Sequence, residues 1–166
     1  MKIFHNKTIL VTGHTGFKGS WLSIWLTSLG AKVVGLSDDV PTNPSNFIAS
    51  KVGELIADNR IDIRDKKSVE KIIQQCQPDF VFHMAAQALV RSSYESPLVT
   101  IEVNAIGSAN ILEGLRTLNK QVIAVMITSD KVYDNVEWFW GYRETDRLGG
   151  KDPYSASKGM AELAIR

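Results

Sequence analysis

The sequence predicts a doubly wound α/β fold built on a parallel sheet. Short apolar runs alternate along the chain with segments of helical periodicity. The runs are continuously apolar, which is typical of parallel strands that helices cover on both faces. A glycine-rich turn joins the first run to the first helix, as it does in Rossmann-type folds.

The predicted strands are short segments rich in β-branched and aromatic residues. They are Thr8–Thr12, Lys32–Leu36, Ile61–Ile63, Asp79–His83 and Val122–Ile127. We expect the last strand to be buried, because every residue in it is apolar. His83, which ends an apolar strand, is interpreted as a core histidine.

Helical periodicity predicts the connecting elements. They are Lys18–Leu29, Asp65–Cys76, Pro97–Leu118 and the chain from Tyr154 onward. Gly30 is a candidate C-cap, and Pro97 suits a first helical turn. The third helix carries an apolar stripe that we expect in the core: Ile106, Ile111, Leu112 and Leu115.

The composition is that of one globular domain, with 44% hydrophobic and 22% charged residues. A net charge of +1 without a basic cluster argues against binding of nucleic acid or a membrane through bulk charge.

The single cysteine, Cys76, excludes an internal disulfide and is interpreted as a structural thiol. Residues 1–6 are too short and polar for a signal peptide, and no apolar run has the length of a membrane span. We therefore expect a cytoplasmic protein.

The segment Thr12–Gly19 follows a strand and opens a helix, which is the context that a dinucleotide-binding loop requires. Its glycines would allow backbone to approach a pyrophosphate at the helix N-terminus. The candidate ligands are Gly13, His14, Thr15, Gly16, Phe17, Lys18 and Gly19. His14 either touches the pyrophosphate or faces solvent. An ordinary turn before a helix is the alternative for the whole segment.

Acidic residues after the second and third predicted strands suit the adenosine half of such a cofactor. Asp38 or Asp39 would bind the ribose and favour NAD over NADP, because a carboxylate repels a 2′-phosphate. Asp62 and Ile63 are candidates for holding the adenine. For Asp38 and Asp39, a pair of solvated loop acids is the alternative.

Tyr154 and Lys158 lie four residues apart at a helix start and therefore share a helix face. A nearby ammonium stabilises a phenolate, so the pair can take a proton from a sugar hydroxyl. Ser129, at the end of the last predicted strand, can bond the reacting oxygen, and Asp130 and Lys131 follow it directly. A solvated helix face and an ordinary strand end are the alternatives.

The segments TGHTGFKG, HMAAQALVRSSYESP, NAIGSANILE and YSASK together resemble the extended short-chain dehydrogenase/reductases over essentially the whole chain. This resemblance implies bound NAD(P) and a catalytic set of Ser129, Tyr154 and Lys158. It also implies that residues Ala85, Ala86 and Gln87 line the cofactor and the sugar, with Gln87 able to bond either, and that Asn104 braces the active-site strand. A polar strand-end residue without a ligand is the alternative for Gln87.

Within this family, nucleotide-sugar 4,6-dehydratases carry an acid after the strand-end serine, and epimerases generally carry small residues there. The order Ser129-Asp130-Lys131 therefore favours a dehydratase. The runs GHTGFKGSWL, PTNPSNF and SDKVYDNVEWFWGYRETDRLGGKDPYSASKG resemble the members that act on CDP-glucose. The implied cofactor is NAD and the implied substrate CDP-glucose. An epimerase, or a dehydratase of another nucleotide sugar, is the alternative.

The resemblance implies a role for each catalytic residue. Tyr154 deprotonates the C4 hydroxyl, Ser129 bonds the C4 oxygen, and Lys158 lowers the pKa of the tyrosine and bonds the nicotinamide ribose. Asp130 is the implied acid at the C6 hydroxyl, and Lys131 is the candidate base at C5. A lysine base must be neutral, and since its free pKa is about 10.4 it needs burial or positive neighbours.

The resemblance also implies a homodimer through the helices 97–118 and 154–166. A helical pattern still runs at Arg166, so we expect residues 1–166 to be the NAD(P)-binding part of a longer protein whose nucleotide-sugar-binding region follows. A non-catalytic NAD-binding module is the alternative for these residues alone. No His, Cys or Asp spacing predicts a metal site. Trp138, Trp140 and Tyr142 are interpreted as a cover for the sugar or as a packing surface.

Overall fold

The computed structural model describes residues 2–166. They form two compact units, the first running to Ala85 and including Asn110–Ile127, the second made of Ala86–Ala109 and Thr128–Arg166. The sequence predicted one domain over residues 1–166, so the division into two units is a finding of the structure.

The first unit is built on a five-stranded sheet whose neighbouring strands all pair in parallel. The strands are β1 Thr8–Thr12, β2 Lys32–Ser37, β3 Ala57–Arg60, β4 Phe80–His83 and β5 Ile123–Met126. Their spatial order is β3-β2-β1-β4-β5, so the winding reverses its direction after the first half of the sheet. The predicted doubly wound α/β fold is confirmed.

The helices include the four predicted segments, with ends that differ by one or two residues. They are α1 Phe17–Ser28, α2 Asn46–Ala49, α3 Val52–Leu55, α4 Lys66–Cys76, α5 Val90–Glu95, α6 Pro97–Ile101, α7 Gly107–Arg116 and α8 Pro153–Ile165. A π-helical turn, Glu102–Ile106, separates α6 from α7, and 3₁₀ turns occupy Lys2–Phe4 and Asp130–Val132. The short helices α2, α3 and α5 were not predicted.

The core of the first unit centres on β1, which has a strand on either side. Ile9 and Val11 are fully buried and pack with Leu26 of α1. Leu10 lies between them in sequence, is also fully buried and points to the opposite face of the sheet. The central strand is therefore covered on both faces, as its continuous apolar sequence predicted.

The prediction of the third strand at Ile61–Ile63 is wrong, because the strand is Ala57–Arg60. Within residues 2–166 this strand pairs only with β2, and it is mostly exposed. An edge strand of this kind can carry polar residues, so its sequence lacks the apolar run that marks the other strands.

Two segments that were expected in the core are partly exposed in the part of the chain that the structure describes. β5 pairs only with β4, and its Ile123 and Val125 are 52% and 39% exposed. Ile106, which belongs to the predicted apolar stripe, is 51% exposed, whereas Ile111 is fully buried. The expected burial of the last strand and of Ile106 is therefore wrong for residues 2–166.

The start of α1 depends on a close backbone contact between Gly19 and Gly13. A Cβ at residue 19 would lie 2.1 Å from the Gly13 carbonyl oxygen, whereas a Cβ at Gly16 would lie 3.3 Å from the same atom. We expect Gly19→Ala to lower the free energy of unfolding by about 2 kcal/mol or more, because backbone must shift. Gly16→Ala is the matched control, with an expected loss below about 1 kcal/mol. Urea unfolding followed by tryptophan fluorescence measures both, and equal midpoints would contradict the prediction.

Candidate active site

The carboxyl ends of β1 and β4 are locked together by the hydroxyl of Thr12. Its Oγ1 accepts the backbone N–H groups of Met84 and Ala85, each at 3.1 Å, and lies 2.8 Å from Nδ1 of His83. Because the oxygen already accepts two amide protons, its own proton can go to His83. His83 is buried, which confirms its interpretation as a core histidine. Doubly wound sheets bind dinucleotides where the winding reverses, outside the carboxyl ends of such a strand pair.

The glycine loop turns tightly at this strand pair. Gly13 adopts a φ of 72°, and a Cβ there would lie 2.8 Å from the backbone nitrogen of Ala85. Its N–H donates to the Leu36 carbonyl at 2.8 Å, and the N–H of Gly16 donates back to Gly13 at 3.1 Å. Gly16 then caps the 12-residue helix α1, whose first residues, Phe17 and Lys18, are exposed. This arrangement fits a pyrophosphate at a helix N-terminus.

The side chains of His14 and Thr15 turn away from the exposed face of the loop. His14 is fully buried, with its Nε2 2.8 Å from Asp58 Oδ1. The Thr15 hydroxyl donates to the Asp39 carbonyl at 2.6 Å and lies 2.8 Å from the Ser37 hydroxyl. The burial of His14 contradicts the solvent-facing alternative, whereas contact of residue 14 with a pyrophosphate stays a prediction. A role of the two backbones toward a cofactor stays a prediction.

The candidate adenosine residues differ in their surroundings. Asp38 is exposed directly after β2, at the position that the ribose-binding acid requires. Asp62 is held by Arg64, whose Nε lies 2.9 Å from its Oδ2, and hydrogen bonding from this guanidinium lowers the pKa of the carboxyl. The side chain of Ile63 is buried, and its carbonyl accepts the Asn110 amide at 3.0 Å. Binding of adenine by Asp62 and Ile63 stays a prediction.

The strand-end segment with Ser129 forms a 3₁₀ turn in the second unit. The Ser129 hydroxyl accepts the N–H of Lys131 and donates to Asp130 Oδ1, both at 3.1 Å. Val132 is buried and fixes the end of the turn, while the side chains of Asp130 and Lys131 are exposed. The turn therefore presents an acid and an ammonium side by side.

Helix α8 carries Tyr154 and Lys158 in the same unit. The Asp152 side chain caps the helix by accepting the N–H of Ser155 at 2.9 Å. The 3₁₀ turn packs against α8, and the Thr128 hydroxyl donates to Glu162 at 3.1 Å. The five predicted catalytic residues thus belong to one compact unit.

Burial and charge act on two titratable groups of this helix. Lys158 is only 6% exposed, and burial lowers its pKa because the charged ammonium loses hydration. Burial alone would raise the pKa of Asp152, but hydrogen bonds from Ser155 and the positive charge of Lys131 outweigh it and lower this pKa. Lys131 therefore lies close enough to the N-terminus of α8 for its charge to be felt there.

Asn104 stabilises the second unit from within the π-helical turn. Its Oδ1 accepts the N–H of Gln87 at 2.8 Å, and its Nδ2 donates to the Gln87 carbonyl at 3.0 Å and to the Ser157 hydroxyl at 2.9 Å. The Ser108 hydroxyl in turn donates to the Asn104 carbonyl at 2.6 Å. These bonds brace α8 and the loop at Gln87. The resemblance had implied instead that Asn104 braces the active-site strand. π-helical turns inside α-helices are frequent at functional sites.

The loop after β4 uses the Gln87 side chain internally. Its Oε1 accepts the N–H of Leu89 at 2.6 Å, and its Nε2 donates to Thr100 Oγ1 at 3.0 Å. The amide therefore shapes the loop, and the geometry does not support the predicted bond to cofactor or sugar. Ala85 and Ala86 are half-buried after β4, where lining of a cofactor stays a prediction.

Sequence reasoning missed the groups that position the site. Thr12, Asp58 and Ser157 make the hydrogen bonds described above, and the sequence analysis assigned none of them a role of its own. For Thr12 a signal existed, since it is a polar residue at the end of an apolar strand.

The loop before α8 contains a stack of aromatic rings. Tyr133 stacks on Tyr142 at 4.9 Å between ring centroids, and Trp138 contacts Tyr142 at 5.4 Å and Trp140 at 5.3 Å. The Tyr142 hydroxyl donates to Asn135 Oδ1 at 2.7 Å, which anchors the stack. Its role as a cover for the sugar stays a prediction.

Residues 2–166 give no support to other types of site. Burial raises the pKa of the Cys76 thiol to about 11, in agreement with a structural cysteine. Within these residues no group of His, Cys, Asp and Glu is arranged to hold a metal ion. The helices of the same residues are all too short or too polar to span a membrane.

A family model described as GDP-mannose 4,6 dehydratase matches residues 10–166. The chain belongs to this family. The predicted membership of the extended short-chain dehydrogenase/reductases is confirmed.

Curated relatives and a solved structure give the same picture. CDP-glucose 4,6-dehydratase of Salmonella typhimurium is 51% identical over 160 residues, which are 96% of this chain and 45% of that protein. dTDP-glucose 4,6-dehydratase of Xanthomonas campestris pv. campestris is 31% identical over 96% of this chain and 48% of its own length. The crystal structure of Thermus thermophilus UDP-glucose 4-epimerase with NAD has a TM-score of 0.82 and 32% identity, covering 95% of this chain and 49% of that one. The chain thus spans about half the length of the relatives it matches.

We expect Asn104→Ala to lower the free energy of unfolding by about 2–4 kcal/mol, because the partly buried N–H and carbonyl of Gln87 lose their partner and the Ser157 hydroxyl loses its donor. Asn104→Asp is the comparison variant: it keeps the acceptor for the Gln87 N–H, so this amide should stay protected, although the buried carboxylate lowers stability as well. Urea unfolding measures the stability, and amide exchange reports on the Gln87 N–H directly. A Gln87 amide that stays protected in Asn104→Ala would contradict this role.

Lys158→Met tests the cost of the buried ammonium. The pKa of Lys158 in the folded chain lies below its ordinary value, so the unfolded chain binds more protons between the two values. The contribution of Lys158 to stability is therefore least favourable near neutral pH and improves as the pH rises toward about 10.4. We expect Lys158→Met to be at least as stable as wild type at pH 7, with an advantage that shrinks as the pH rises. A difference in urea midpoint that is independent of pH would rule this out.

Proposed function

We propose that the protein is a nucleotide-sugar 4,6-dehydratase that converts CDP-glucose to CDP-4-dehydro-6-deoxyglucose with bound NAD. The observation that carries this proposal is the 3₁₀ turn that exposes Asp130 and Lys131 in the same compact unit as Tyr154 and Lys158. An epimerase needs the tyrosine and the lysine of α8 but has no use for an additional acid and base. The 51% identity to a CDP-glucose 4,6-dehydratase supports the choice of nucleotide.

The residues of the first unit fit NAD. The glycine loop and the start of α1 suit its pyrophosphate, and the exposed Asp38 suits a ribose with a free 2′-hydroxyl. A solved epimerase of the same fold was crystallised with NAD, which supports the assignment. When bound, NAD⁺ would accept hydride from C4 of the sugar and later return it to C6.

In the proposed oxidation, Tyr154 takes the proton of the C4 hydroxyl as the phenolate. Lys158 lies one helical turn away and stabilises that phenolate. Ser129 bonds the C4 oxygen through its hydroxyl. The product of this step is a ketone at C4, which acidifies the proton on C5.

In the proposed elimination, a base removes the C5 proton and the C6 hydroxyl leaves as water. Asp130 supplies the proton for that hydroxyl, and Lys131 is the candidate base. The two residues are adjacent on the turn, and both are exposed to an incoming ligand. The carbon–carbon double bond formed between C5 and C6 is then reduced at C6 and protonated at C5.

We also propose that the protein is a homodimer through the helices 97–118 and 154–166. The second unit exposes apolar side chains on these helices, with Leu98 at 67%, Ile106 at 51%, Met160 at 45% and Leu163 at 64%. Large apolar side chains that stay exposed on packed helices are typical of an interface between subunits.

The deciding experiment incubates the protein with CDP-glucose and NAD⁺. The 4-keto sugar is detected by its alkali-induced ultraviolet absorbance, and parallel reactions contain UDP-, dTDP- and GDP-sugars. Product from CDP-glucose alone would establish the proposal. Interconversion of sugars without loss of water would make the protein an epimerase, and absence of any product despite NAD binding would overturn enzymatic function.

We expect substitutions of the turn to separate the two proton transfers of the elimination. Asp130→Asn should lower the rate of water loss by about 10²–10⁴-fold, while exchange of the C5 hydrogen with D₂O persists because the base is intact. Lys131→Ala should lower both the exchange and the elimination. Tyr154→Phe is the control in which both are lost, because no C4 ketone forms. Unchanged elimination in Lys131→Ala would remove this lysine from the role of base.

A further inference from the structure

The glycine loop contains a buried imidazole that the proposed function does not use. His14 lies between Gly13 and Gly16, and its side chain has no exposed surface. Its Nε2 is 2.8 Å from Oδ1 of Asp58 on β3, a residue 44 positions away in sequence. The loop that would hold the pyrophosphate is thereby bonded to the edge strand of the sheet.

The His14 ring lies in a close-fitting pocket on the sheet. Gly35 of β2 lies beneath it, where a Cβ would approach the His14 ring carbons to 2.5 Å. Phe47 of α2 closes the pocket by an edge-to-face contact, with ring centroids 5.5 Å apart. The ring therefore fits only because residue 35 has no side chain.

A histidine ring in this pocket lowers the stability of the folded state. Nδ1 of His14 is buried without a hydrogen-bond partner in residues 2–166, and an unpaired buried nitrogen destabilises the folded state. An apolar side chain would fill the pocket without this cost. The contribution of His14 must therefore come from its bond to Asp58.

Asp58 is itself held rigidly. Arg60 contacts it through Nε and Nη2, each at 2.9 Å, and the Arg60 guanidinium lies 4.9 Å from the centre of the Phe47 ring. The carboxylate that receives the imidazole is thus fixed by a neighbour on its own strand. Asp58 and Arg60 are the charged groups that face His14, whereas β2 and α2 contribute Gly35 and Phe47.

This anchoring has a consequence for cofactor binding. A loop with three glycines has large backbone freedom, yet its N–H groups must hold one orientation to bind a pyrophosphate. We propose that His14 is a positioning residue that holds the backbone of the cofactor loop in its binding conformation through Asp58. This inference rests on the proposed binding of NAD and adds a residue that acts on it from inside the protein.

The neutral imidazole is the form that makes this bond, because burial lowers the pKa of His14. Protonation would place a second N–H on Nδ1, which is buried and makes no hydrogen bond within residues 2–166. The carboxylate of Asp58 and the backbone of Leu36 favour the protonated ring, but burial outweighs them and lowers the pKa of His14. We therefore expect the affinity for NAD to fall on the acid side of about pH 6.5, which is the ordinary pKa of histidine.

The test measures the dissociation constant of NAD by calorimetry on the 166-residue chain. We expect His14→Ala and Asp58→Ala to weaken binding by about tenfold or more, because the loop loses a charge-assisted hydrogen bond. His14→Gln, which keeps an N–H donor, should recover most of the affinity and lose its acid-side decline. Val69→Ala, a buried change in α4 outside the loop, is the control that lowers stability and leaves the affinity unchanged.

The outcomes are distinguishable. Tight binding by wild type together with equal affinities for His14→Ala and Val69→Ala would overturn the inference and leave the proposed function standing. Failure of wild type to bind NAD would overturn the proposed cofactor and the inference with it. If His14→Ala does not fold, His14→Gln and Asp58→Ala decide the question, because Asp58 lies on an edge strand and is partly exposed.

Discussion

The close approach of backbone at the carboxyl ends of β1 and β4 is the constraint on which the first unit depends. Thr12 binds two amides of the chain that leaves β4, and Gly13 packs directly against Ala85. Any side chain at residue 13 would push these two chain segments apart. The same contact aims the glycine loop and the start of α1 at the place where a doubly wound sheet binds dinucleotides.

Both units use buried polar side chains at the points where regular structure stops. In the first unit the hydroxyl of Thr12 and the imidazole of His14 hold the loop, and in the second the amide of Asn104 holds the segment after β4 and α8. Such groups stabilise a structure only when they are paired, and an unpaired one is costly. They therefore select one loop conformation, which an apolar side chain of the same volume would not do.

Local signals explain what the sequence predicted well. The run TILVT, the glycines after it and the spacing of Tyr154 and Lys158 carry their structural meaning within a few residues, and the structure agrees with them. Position 14 was not predictable, because its burial depends on Gly35 and Asp58, which are distant in sequence. The polar strand β3 was missed because an edge strand needs no apolar run. The π-helical turn around Asn104 leaves no trace in a helical hydrophobic pattern.

The proposed base, Lys131, must be neutral before the elimination can take place. A lysine accepts a proton only when its amine is neutral, and burial or positive neighbours favour that state. Lys131 is exposed on its turn, so burial does not supply this condition. The neighbour on which its charge acts, Asp152, is an acid and does not supply a positive charge. Lys158 is already buried, whereas Lys131 would have to be covered by the bound sugar itself. The bound sugar would then have two roles in the elimination, because it carries the acidified C5 proton and also removes water from the amine that accepts this proton. The second proton transfer would therefore require a fully bound substrate.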